Sequence, residues 1–120
     1  MEPLRGYIDL SINLHKTNTN SGESFNFGPR KSENYSVIDV VNIIREIAPS
    51  LKIKINKKKP LFKESGLLKL NCKKAYKLLG WKPFINTKES ISLTINWYLI
   101  FLKKKDIEDF TFKQISNYFE

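Results

Sequence analysis

The chain has one cysteine, one histidine and five glycines in 120 residues, and each scarcity closes off a class of chemistry. Cys72 alone can form no internal disulfide and no cysteine-based metal site, which fits a reducing compartment. His15 falls on a polar position of a helical pattern and reads as solvated. No His/Cys/Asp/Glu cluster at ligand spacing accompanies it, so no metal is expected. The glycines show neither Gly-x-Gly-x-x-Gly nor Gly-x-x-Gly-x-x-Gly spacing, the turn that admits a dinucleotide pyrophosphate.

Long apolar runs are also missing. The longest, Ile91 to Leu102, is interrupted by Ser92, Thr94 and Asn96 and falls short of the ~20 residues that span a bilayer. Met1-Glu2-Pro3-Leu4-Arg5 has no apolar leader core. The expectation is a cytosolic protein with no membrane partner, forming one domain over residues 1–120 with one core.

Arginine is scarce in a chain whose net charge is +9. Arg5, Arg30 and Arg45 are the exceptions among lysines, and Lys, Asn and Ile together are what an AT-rich gene writes by default. The runs Lys57-Lys58-Lys59 and Lys103-Lys104-Lys105 sit at element ends, where solvated cations are common. No arginine–aromatic cluster of the kind that reads bases is present, which argues against a nucleic-acid partner despite the charge.

What is present alternates between helical and extended patterns. Pro3 suits a first helical turn, and Tyr7, Ile8, Leu10, Ile12 and Leu14 carry a helix that frays by Thr17. Thr17 to Gly22 is turn-rich, and Glu23 to Phe27 alternates as a short strand ending at Gly28-Pro29. Ser36 with Asp39 forms a capping pair for a helix through Val37, Val40, Val41, Ile44 and Ile47, stopped at Pro49. Leu51-Lys52-Ile53-Lys54-Ile55 reads as a strand with one buried face, and Leu67 to Leu70 as a second extended piece. Asn71 is placed to cap a helix ending at Gly80, with Pro83 preventing its resumption. Thr87 then caps a helix from Lys88 to about Lys104, and a final one follows Thr111 from Phe112 to Phe119. The fold class expected is α/β, with helices packed on short strands.

Several motifs along this path act together. They are Glu2-Pro3-Leu4 with Gly6-Tyr7, Phe25-Asn26-Phe27-Gly28-Pro29, Val37 with Val40-Val41, and Glu64 followed by Leu68-Lys69-Leu70. Cys72, Lys74-Ala75, Leu79-Gly80-Trp81-Lys82-Pro83 and Trp97-Tyr98 follow, then Asp106-Ile107, Thr111, Gln114-Ile115 and Tyr118. In this order they resemble the C-terminal lobe of extended short-chain dehydrogenase/reductases acting on nucleotide sugars, within them the CDP-glucose 4,6-dehydratase group. The resemblance implies a substrate-binding lobe beginning after that family's NAD-binding domain. It also implies that the loop after Phe27 and the segment before Leu70 face the nucleotide. Arg30, Lys31, Lys63, Glu64 and Lys69 thereby become candidates for diphosphate, ribose or base contacts. The chain departs from the family at Lys63, where His is usual, at Gly66-Leu67, where a His-Tyr pair is usual, and at Asn71, where Asp is usual.

The family's chemistry needs a Tyr-x-x-x-Lys pair to oxidise the sugar. Four residues beyond Tyr7, Tyr35, Tyr76 and Tyr98 stand Ser11, Asp39, Gly80 and Leu102. No catalytic residue is therefore assigned, no NAD is expected on this chain alone, and isolated dehydratase activity is not expected. The expected function is recognition of a CDP-sugar for deoxysugar and surface-polysaccharide synthesis. The expected partners are a CDP-sugar held weakly, and a second copy of the chain or a separate NAD-binding half. The alternative is an interaction module without enzymatic role. A large exposed Trp81 is not expected, because an indole after a capping glycine usually serves as an apolar plug.

Overall fold

The computed structural model describes residues 1–17, 19–54 and 69–120. These form five α-helices: α1 (Glu2–Thr17), α2 (Val37–Ile47), α3 (Lys73–Leu79), α4 (Thr87–Leu102) and α5 (Ile107–Phe119). No strand occurs among the described residues, so the α/β expectation is corrected to an all-helical arrangement.

The reason lies in what alternation reports. A period of two fixes which side chains share a face, but a strand also needs a neighbour for its amides, and a lone extended segment is marginal. Phe25 and Phe27 do share a face, with ring centroids 6.4 Å apart and Asn26 exposed between them. They pack on helices instead of entering a ladder. The amide of Leu51 donates to the Ala48 carbonyl at 3.0 Å, so it closes a turn after α2 instead of opening a strand. The remainder of the two later strand expectations, Ile55 and Leu67-Leu68, lies outside the described residues.

The described residues group into two compact units. The first holds Glu2–Arg30 and the described part of Ile53–Phe84. In it α1 packs on α3 around Phe27, Ala75 and Trp81, with Leu10, Phe25, Cys72 and Leu79 against them. Trp81 owes its place to the end of α3. Gly80 takes the left-handed conformation at φ 65°, and the Trp81 amide returns to the Ala75 carbonyl at 3.3 Å, turning the indole inward until it is 2% exposed. This geometry needs a glycine because a Cβ there is strained. Asn71 accepts from the Lys73 amide at 3.1 Å, one position earlier than a true cap, which falls on Cys72.

Gly6 serves closeness of approach. A Cβ at that position would come within 2.4 Å of Cδ1 of the Phe27 ring, whose centroid lies 5.0 Å from that of Trp81 and 5.5 Å from that of Tyr7. Arg5, beside it, is buried. Its guanidinium pairs with Asp9 at 3.1 Å and Glu2 at 3.5 Å, donates to the Lys82 carbonyl, and stacks over the Phe84 ring. Glu2 in turn accepts from the Phe84 amide at 2.8 Å. The first turn of α1 thus fastens the segment leaving α3.

The second unit holds Met1, Lys31–Lys52 and Ile85–Glu120. Ser36 and Asp39 form the expected reciprocal cap of α2. α4 is capped by Asn86 with Glu89, not by Thr87, whose amide and hydroxyl both go to Glu33 at 3.2 and 3.0 Å. Between Glu89 and Lys103 α4 carries no charge, and its apolar residues spread around more of the helix than one partner covers. It packs on both α2 and α5. α5 begins at Ile107, earlier than the expected Phe112, because Asp106 accepts from the Asp109 amide and caps it there. Thr111 is then an internal residue whose hydroxyl receives the Trp97 indole N–H at 2.8 Å.

Candidate functional site

The loop after Phe27 approaches the residues that lead into α3 in the first unit. A Cβ added at Gly28 would lie 3.1 Å from Leu70 Cδ1 and 3.6 Å from Cys72 Sγ, so the loop after Phe27 runs directly against the segment entering α3. The absence of a side chain at Gly28 allows this approach. Lys69 sits beside that junction in sequence and is exposed.

Arg30 follows on the loop. Its guanidinium donates to the Phe84 carbonyl at 3.2 Å and reaches the Pro83 carbonyl at 3.5 Å while the residue stays exposed. A guanidinium has five N–H donors, so this tie leaves some for an anion. Arg30 is therefore a loop fastener, a role not visible in the sequence. Lys31 is exposed and belongs to the second unit. Lys63 and Glu64 lie outside the described residues.

One concavity of the first unit escaped the sequence reading. An open hollow of about 380 Å³ is lined by Asn71, Lys73, Lys74, Lys77 and Leu78. Lys74 is half-buried, donates to Glu23, and holds its ammonium 4.8 Å from the centre of the Phe25 ring. That hydrogen bond, with the adjacent positive charge, lowers the Glu23 pKa. Lys73 and Lys77 are exposed on the same helix. The signal available in the sequence was Lys-Lys-x-x-Lys on a short helix, which by itself is the pattern of a solvated face.

The glycines of the described residues give no dinucleotide turn. Gly6 is inside α1 against Phe27, Gly22 and Gly80 take positive φ in a turn and a helix end, and Gly28 is covered by Leu70. None of these opens a helix toward a pyrophosphate. No cluster of three His, Cys, Asp or Glu side chains suited to a metal occurs among the described residues. No helix among them is long and apolar enough to cross a membrane.

No model of a protein family matches the chain. The chain is similar to a CDP-glucose 4,6-dehydratase of Salmonella typhimurium strain LT2, with 30% identity over 122 residues covering 98% of the chain. It spans 33% of that relative's length. The resemblance read from the motifs is thus found again across almost the whole sequence.

Proposed function

We propose that this chain is the C-terminal, CDP-hexose-binding portion of a 4,6-dehydratase-like protein of deoxysugar and surface-polysaccharide synthesis, acting in the cytosol and catalytically incomplete alone. The observation that carries the reading is the similarity over 98% of the chain to a CDP-glucose 4,6-dehydratase. Gly28 lying against Leu70 supports it, because it brings the loop that carries Arg30 close to the residue following Lys69. Arg30 and Lys69 would meet the diphosphate through charge-assisted hydrogen bonds, joined by Lys31, Lys63 and Glu64. The missing glycine turn and Tyr-x-x-x-Lys pair leave oxidation and dehydration to a separate NAD-binding half. Affinity should be weak, since half a pocket lacks preorganisation.

Amide-detected NMR tests this with CDP-glucose, CDP, UDP-glucose and orthophosphate. Saturable shifts at Arg30, Lys31, Lys63, Glu64 or Lys69 that are larger for the cytidine compounds are expected. Equal shifts with orthophosphate, or shifts confined elsewhere, would remove the nucleotide-sugar assignment. Turnover of CDP-glucose with NAD by the homogeneous chain would refute its catalytic incompleteness.

A second reading, a self-associating module, is favoured by the outer face of α1. Leu4, Tyr7, Ile8 and Ile12 are 62, 56, 53 and 48% exposed and lie at helical spacing on one side. Their neighbours on that side are Ser11 and His15, so no lysine, arginine or carboxylate interrupts the stripe. A second copy is the occupant we assign to it.

A further inference from the structure

We infer that the hollow beside α3 is a binding site for a small phosphate-bearing anion, with Lys73 and Lys77 as its gripping cations and Lys74 as its fixed one. Lysine-rich helix faces are ordinarily solvated, so the case depends on how this one differs. Three of its five lining residues are lysines, and they bound a concave space of about 380 Å³. Lys74 is already held in place by Glu23 and by the Phe25 ring, so its position is set before any ligand arrives. Glu23 offsets part of that charge and leaves the two exposed ammoniums as the remaining excess.

Lys73 and Lys77 are four residues apart on α3, a spacing at which like charges face each other and oppose the helix. An anion between them converts that repulsion into two charge-assisted hydrogen bonds. Asn71 adds a neutral donor. Its side-chain oxygen is occupied by the Lys73 amide, which leaves the amide nitrogen to turn toward the hollow. The attraction comes from side-chain ammoniums and not from the end of this short helix.

The lining also discriminates among anions. It contains no aromatic ring on which a base could stack and no arginine, whereas single-strand binding relies on stacking surfaces along an extended basic track. Two excess cations around one hollow, with a third shared with Glu23, match one phosphate or diphosphate. The site does not depend on the nucleotide-sugar reading, whose candidate contacts are other residues.

The test follows lysine side-chain NMR signals of the full chain at constant ionic strength, with pyrophosphate, orthophosphate, sulfate, cytidine and a single-stranded oligonucleotide as probes. Saturable pyrophosphate shifts at Lys73, Lys74 and Lys77, with Lys103 to Lys105 unmoved, are expected. Lys73→Gln with Lys77→Gln should weaken binding about ten-fold or more while leaving the fold intact, because both side chains are exposed. Non-saturating shifts spread over all lysines, or equal response to sulfate, would overturn the site. Tighter binding of the oligonucleotide at the same lysines would overturn the small-anion assignment. Pyrophosphate binding without any response to CDP-glucose elsewhere would keep this site and remove the nucleotide-sugar reading.

Discussion

The guanidinium carbon of Arg5 lies 3.7 Å from the centre of the Phe84 ring. The same group is buried, ion-paired to Glu2 and Asp9, and bonded to the Lys82 carbonyl. A cation taken out of water at this depth is tolerable only because every side of it is answered. Arg5→Ala removes the stack and leaves two carboxylates and a carbonyl without it. The expected loss is about 2–4 kcal/mol in urea unfolding. Arg5→Lys keeps the charge but not the planar fork, and should lose roughly half as much. Equal stability of Arg5→Ala and wild type would show that this cluster does not hold α1 to the segment leaving α3.

Gly6 and Gly80 should both resist replacement, for opposite reasons. At Gly6 alanine gains about 1 kcal/mol of helix propensity. It also drives a methyl into Phe27, which Trp81 and Tyr7 hold from other sides, and overpacking costs about 1–3 kcal/mol. The net should be destabilising, with altered Trp81 fluorescence. At Gly80 nothing lies within 4 Å of an added Cβ, and the cost of about 1 kcal/mol comes from its φ of +65° alone. A stabilised Gly6→Ala protein would mean that Phe27 can withdraw at no cost.

These two glycines also mark what the sequence could and could not convey. Gly80 was legible because a helix end followed by Trp and Pro is a local pattern, and the Ser36–Asp39 cap was legible for the same reason. The closeness of Gly6 to Phe27 was not, since it joins distant parts of the chain. Thr87 and Thr111 were misjudged alike: each is a plausible cap locally, but Glu33 takes the first and Trp97 the second. The extended Phe25–Phe27 segment forms no strand among the described residues for want of a partner, which alternation cannot report. At the candidate site, Arg30 and Lys69 were legible as cations. The carbonyl tie of Arg30 and the hollow beside α3 depend on how segments fold back, so they were not.

The Glu23–Lys74 pair predicts a pH response with a definite sign. The folded-state pKa of Glu23 is lowered, first by the hydrogen bond from Lys74 and then by its charge. Its contribution is therefore present above the unfolded pKa and fades as pH falls through the lowered folded one. Both partners are partly open to water, so the measurement is the side-chain carboxyl titration of Glu23 and not global stability. Lys74→Ala should raise that midpoint toward the ordinary carboxylate value; an unchanged midpoint would mean the pair is not populated in solution. Lys113 runs the other way. Asp109 raises its pKa, so that contribution is lost as pH rises through the folded value.

Asn86 supplies a local test of the α4 boundary. Its side chain accepts from the Glu89 amide at 2.9 Å while Glu89 accepts from the Asn86 amide at 2.8 Å. Asn86→Ala should cost about 1 kcal/mol, the usual loss of a good cap. Asn86→Asp should be close to wild type, because it keeps the acceptor. If Asn86→Ala is neutral, the helix is being initiated elsewhere.

Self-association through α1 can be separated from folding because the helix has two apolar faces with different duties. Leu10 packs against Phe27, Ala75 and Trp81, so Leu10→Glu would place a charge in the core and unfold the first unit. Ile8 lies on the opposite side, 53% exposed beside Leu4 and Ile12. Exposed stripes of this kind commonly mark interfaces, and a two-fold pairing brings the same uncharged surface of each copy together. The +9 charge of the chain opposes further growth by long-range repulsion. Sedimentation equilibrium at tens of micromolar should therefore report a dimer that strengthens with salt, because salt screens the repulsion while leaving apolar burial in place. Ile8→Glu should give a monomer with an unchanged helical circular dichroism spectrum. A wild-type monomer across the same range would exclude the second copy, and would leave the stripe to a different protein, such as a separately encoded NAD-binding half.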